Sequence, residues 1–227
     1  MLALPREQLA WLGIVPVSAT VIYYILPLPW QAATVVQFIP QVVAYMALAL
    51  WASSNERPLE RLGLAFDLIP QGLRWGLTTG LILGCLNTIV ILWLTPRLGS
   101  DISFLLQTPH ARVPTAVMLP WFIIFIGVAI EINFRGLLLG RLLAAFESVT
   151  PYRYARIQTG LAIGISALTF AFDPFMVTTF QHLHWIALWD GIVWGTLWIR
   201  LRNLLVPIVA HAVEVMVMYS IIKAVLS

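Results

Sequence analysis

Six side chains able to carry charge or move protons sit where the surrounding sequence is almost wholly apolar: Glu131, Arg135, Asp173, Asp190, His211 and Glu214. An Asp or Arg at the centre of a membrane helix costs about 2.5–3.5 kcal/mol on insertion scales, so each needs a partner or a cavity. Glu131 and Arg135, in "AIEINFRGLLLGRL", are four residues apart and share one helical face. The spacing fits a self-neutralising structural ion pair and an active-site carboxylate oriented by its arginine equally well. His211 and Glu214, in "VPIVAHAVEVMVMY", also share a face. They read as hydrogen-bonded core residues, as catalytic groups facing a cavity, or as half of a metal site. Asp173, in "TFAFDPF", is either a helix-end aspartate before Pro174 or a site carboxylate. Asp190, before Gly191, is expected to pair with an arginine or cap a helix. His182 and His184, beside Trp185, read as an interfacial loop, and His110 lies in a polar loop with no signal of function.

Composition says what must position these groups. Of the 227 residues, 60% are hydrophobic and only 10% charged; soluble domains carry about 25% charged residues. The mean hydropathy of +0.90 excludes a globular protein with a polar surface. The fold class is all-α, a polytopic transmembrane bundle of seven or eight spans forming one domain over 1–227. Seven apolar segments are expected near 8–27, 31–52, 70–95, 115–145, 157–174, 184–200 and 203–226. Gly136 and Gly140 form a small-xxx-small pair that permits close helix packing. Neither a cleavable signal nor a lipidation motif is expected. The single cysteine, Cys85, rules out an intrachain disulfide and a multi-cysteine zinc site, and no cofactor is expected.

The net charge of +3 comes mostly from arginine. No aromatic-plus-basic stripe accompanies it, so nucleic acid is not an expected partner. The arginines instead read as topology signals. Arg6, Arg57, Arg61, Arg141, Arg153, Arg156, Arg200 and Arg202 fall on one side, and Arg97, Arg112 and Lys223 on the other. The first side is expected to be cytoplasmic, with the N-terminus inside, in a bacterial-type plasma membrane or an organellar or thylakoid membrane.

Three stretches in order bring a family resemblance. "EINFRGLLLGRL" resembles the first signature of the CPBP family (CAAX prenyl proteases and bacteriocin-processing proteins), Glu-Glu-x-x-x-Arg ending in Phe-Arg-Gly. "ISALTFAFDP" is similar to the second, Ser-x-x-x-Phe-x-x-x-His. "GIVWGTLWIRLRNLLVPIVAHAVEV" resembles the third, Gly-xxx-Gly followed by a basic turn and His-x-x-x-Asn. The likeness spans roughly 115–220. It implies an intramembrane endopeptidase that cleaves a prenylated or membrane-tethered peptide. In the family the first glutamate and second-motif histidine activate a water, and the third-motif histidine and asparagine stabilise the oxyanion. Here Glu131, Arg135 and His211 are retained. Ile130 stands at the first-glutamate position, Asp173 or Pro174 at the second-motif histidine, and Val215 at the asparagine. Two readings follow. In one, a divergent hydrolase uses Glu131 as base held by Arg135, Asp173 in place of the histidine and Glu214 in place of the asparagine. In the other, a non-catalytic relative binds a membrane partner through the same cavity.

Overall fold

The computed structural model describes residues 7–149 and 152–226. Arg6 and the centre of the third polar loop lie outside these residues. All seven apolar segments are helical. They form α1 (Ala10–Ile25), α2 (Thr34–Ser53), α3 (69–97), α4 (Thr115–Val149), α5 (Ala155–Ala171), a short α6 (Pro174–Leu183), α7 (Ile186–Leu201) and α8 (Leu205–Leu226). No strand occurs among the described residues. Four helices there are long and apolar enough to cross a bilayer, or five if the bent pair α5–α6 is one span. The chain is an integral membrane protein. At 1.5 Å per residue α1 is only about 24 Å long, short of a hydrocarbon core of about 30 Å.

Sequence chemistry explains the breaks. The fifth helix was expected to run to 174 but ends at Ala171, and the chain turns by 53° into α6. Pro174 has no N–H and disfavours helical backbone in the residue before it. Asp173 is accordingly extended (ψ 133°) and its carboxylate accepts the Phe175 N–H at 3.0 Å. His182 belongs to the last turn of α6 rather than to an open loop.

The tightest helix pair is α3 against α8, and its cause is a glycine every fourth residue along α3. A Cβ at Gly76 would stand 2.5 Å from Val209 Cβ, and one at Gly80 would stand 2.6 Å from the Ala210 carbonyl. The backbones therefore approach as small-xxx-small pairs allow in membranes. Gly136 and Gly140 on α4 instead make room for side chains, those of Leu62 and Trp198.

Helix α4 passes through the middle of the bundle. It is wound wide, as π-helix, over Trp121–Gly127 and Ile132–Leu139. Such winding leaves carbonyls without the usual intrahelical partner. One of these, Phe134 O, accepts the Ser166 hydroxyl of α5 at 2.8 Å. Every residue from Asn133 to Leu139 is buried, among Phe170, Trp194 and Trp198.

Candidate active site

Glu131 and Arg135 are both completely buried on α4. The arginine Nε lies 3.2 Å from Glu131 Oε2, and its Nη1 donates to Oε1 at 3.3 Å. The guanidinium is held between two rings, 4.6 Å from the Phe170 centroid and 5.1 Å from that of Trp194. Gly191 keeps this slot open, since a Cβ there would sit 3.3 Å from Arg135 Nη2. His211, from α8, completes the group. Its Nδ1 lies 2.9 Å from Glu131 Oε1, and its ring stacks on Trp194 with centroids 4.8 Å apart. A carboxylate on Nδ1 fixes the orientation of the imidazole and leaves Nε2 for another partner.

A second polar group lies alongside. Asn87, fully buried on α3, donates to both Asp190 oxygens (3.3 and 3.2 Å) and to Glu214 Oε1 (2.8 Å). Its own carbonyl accepts Trp189 Nε1 at 2.9 Å. Asp190 therefore neither caps a helix nor forms a direct arginine pair. It faces Asn87 and Glu214, with Arg135 as an electrostatic neighbour.

His211, Asp190 and Glu214 line one cavity of about 50 Å³, enough for water, together with Ile130, Val215, Trp194 and His110. Glu131 and Arg135 stand behind it. Of the residues singled out from sequence, Glu131, Arg135, His211 and Glu214 thus converge. Asp173 does not. Its carboxylate is taken by the α6 N-terminus and by Gln41 Nε2 at 3.1 Å. That position replaces the expected site carboxylate with a helix cap, the other sequence-based reading.

Two residues of the cavity region were not anticipated. Asn87 is an amide in the centre of an apolar helix, a signal legible in "GCLNTIV". His110 comes from the loop before α4, where "TPHARVP" gives no hint of burial. The protein buries it, stacked on Phe122 and Tyr219 at centroid distances of 4.9 and 5.6 Å, with Nδ1 unpartnered. His182 and His184 stay apart, against Phe104 and Phe172. Among the described residues, no three His, Cys, Asp or Glu are grouped to hold a metal ion. His211 and Glu214 turn instead to Glu131 and Asn87.

No curated protein and no solved structure matches the chain. A family model does: that of the Rce1-like type II CAAX prenyl endopeptidases, over residues 112–217. The matched region runs from just before α4 into α8 and contains Glu131, Arg135, Asp190, His211 and Glu214. Residues 112–217 are thus similar to the Rce1-like type II CAAX prenyl endopeptidases, and the convergent Glu131, Arg135 and His211 all lie inside the matched region.

Proposed function

We propose that the protein is an intramembrane endopeptidase that cleaves a prenylated or otherwise membrane-tethered peptide. The observation carrying this reading is His211, clamped by Glu131 through Nδ1 and lining a cavity of water size inside the bundle. Peptide hydrolysis needs a water held beside a proton acceptor, and donors aimed at the oxyanion that forms. As an imidazolium, His211 keeps Nδ1–H on Glu131 and directs Nε2–H to the oxyanion. Glu131 and Arg135 hold that histidine in place. The cavity is too small for a peptide residue, so substrate entry on this reading requires α6 and the turn Pro109–Arg112 to part. The substrate reaches the site from the bilayer, and the proposed orientation keeps the N-terminus cytoplasmic.

The full chain in proteoliposomes, given a fluorogenic farnesylated peptide, tests the reading. Wild type turns it over, and His211→Ala lowers turnover by about 100-fold or more while the unfolding midpoint in detergent is retained. Turnover by wild type no faster than by His211→Ala overturns the proposal.

A second reading has its own observation. Ile130 and Val215 face the cavity where the family pattern has a glutamate and an asparagine. A peptide-binding relative without hydrolysis would bind the farnesylated peptide and release no product. Ile130→Glu would then confer cleavage.

A further inference from the structure

The cavity contains a carboxyl pair that the family pattern does not use. Asp190 and Glu214 lie on different helices, α7 and α8, and a single amide nitrogen, Asn87 Nδ2, reaches both at 2.8–3.3 Å. The two carboxyls therefore crowd one donor, and like charges so close in an apolar setting are relieved by a proton on one of them. Glu214 Oε2, which no other donor in the described protein reaches, is the oxygen left for that proton or for a water. On the same cavity, His110 Nδ1 is likewise buried and without a partner. With Trp194 Nε1, three orphaned polar atoms belong to residues lining this one cavity and call for a bridging water, since each costs about 1–3 kcal/mol unpaired. Glu131, by contrast, has both oxygens engaged by Arg135 and His211 and does not line the cavity.

Resting on the peptidase reading, we infer that Asp190 and Glu214 form the acid–base pair that activates the hydrolytic water, taking over the task left vacant at Ile130. The ionised member takes one proton from water as the water oxygen bonds to the scissile carbonyl carbon. His211 stabilises the oxyanion. As the C–N bond breaks, one carboxylic acid of the pair gives its proton to the departing amine nitrogen, and the pair again holds one proton. The products are a carboxylic acid and an amine, and no other reactant is consumed. His110, whose unpartnered Nδ1 belongs to the same cavity lining, helps to position the water. The charges balance in this state: Arg135 and protonated His211 are positive, and Glu131 and the singly protonated pair are negative. Like charges at contact distance cannot both ionise in so dry a setting.

Two readouts test the pair. In the proteoliposome assay with the farnesylated peptide, Asp190→Asn and Glu214→Gln each lower turnover by about 100-fold or more, the range of general acid–base catalysis. Both retain the wild-type unfolding midpoint, and Asp101→Asn in the exposed loop cleaves as wild type does. Turnover within threefold of wild type in either variant overturns the assignment and leaves the peptidase reading standing. Infrared difference spectroscopy of the full chain, with no substrate present, reads the pair itself. A deuterium-sensitive protonated carboxyl band appears in wild type and is lost or shifted in both single variants. If wild type fails to cleave, the peptidase reading falls. The shared proton then stands or falls on that band alone, and its absence from wild type overturns the pair.

Discussion

A buried Glu131 can be essential without touching the reaction. It meets Arg135 through both oxygens and His211 through one, with no exposure to solvent. Removing one partner of such a pair costs about 3–5 kcal/mol, because the other charge is left uncompensated. A Glu131→Ala variant would therefore lose activity by unfolding as readily as by lost chemistry, which is why His211 is the better probe. Asp173 shows the opposite case. It caps α6 and ties that helix to Gln41 of α2, away from the cavity, so Asp173→Ala is expected to cost about 1–2 kcal/mol of stability and leave cleavage unchanged. Thermal unfolding and the peptide assay together check this; a loss of turnover at unchanged stability would return Asp173 to the site. The sequence pairs Glu131 with Arg135 by their spacing, and joins His211 to them only through the family resemblance, since that histidine lies on another helix. It could not place His110, whose burial depends on Phe122 and Tyr219 arriving from two other helices.

At the scale of elements, the site is a consequence of how closely α3 lies on α8. Asn87 bridges to Glu214 only because the Gly72–Gly76–Gly80–Gly84 stripe lets the two backbones meet. Seven of the eight helices were legible as apolar runs, though only four, or five with the bent pair, are long and apolar enough to cross a bilayer, and the end of α5 was misplaced by Pro174. The stripe is not legible in the sequence alone, because glycines four apart carry meaning only once the partner helix is known. Gly76→Val and Gly80→Leu each force side chain into occupied space and are expected to destabilise by about 1–3 kcal/mol. Because the bridge would shift with the backbone, both should also lower turnover. Gly164→Ala on α5, where nothing lies within 4 Å of an added Cβ, serves as the control and should be neutral or mildly stabilising. Unfolding midpoints in one detergent decide it. Equal midpoints for Gly80→Leu and Gly164→Ala would mean that the α3–α8 contact is looser than described.

For the whole molecule, the charged groups outside the site sort by end of the bundle. Glu7 pairs with Arg141 and lies 3.9 Å from Arg61, and the Arg141 guanidinium covers the Trp51 ring at 4.0 Å. Gly63 and Arg202 also meet at this end, where a Cβ on Gly63 would stand 2.6 Å from the Arg202 carbonyl. At the other end Arg97 lies over Trp93 and Lys223 donates to the Val113 carbonyl. The arginine-rich end collects loops from four separate parts of the sequence, so its charge bias is a property of the fold and not of one loop. Short loops rich in Arg and Lys remain on the cytoplasmic side. The orientation expected is therefore arginine-rich end inside. Cys85, exposed on α3, is the one thiol in the sequence, so Cys85→Ser gives a thiol-free background. In intact cells a membrane-impermeant maleimide should label Ser100→Cys, in the loop after α3, and spare Ser54→Cys, in the loop after α2, until the membrane is permeabilised. Labelling of Ser54→Cys alone in intact cells would invert the orientation and put the cavity's peptide supply on the opposite leaflet.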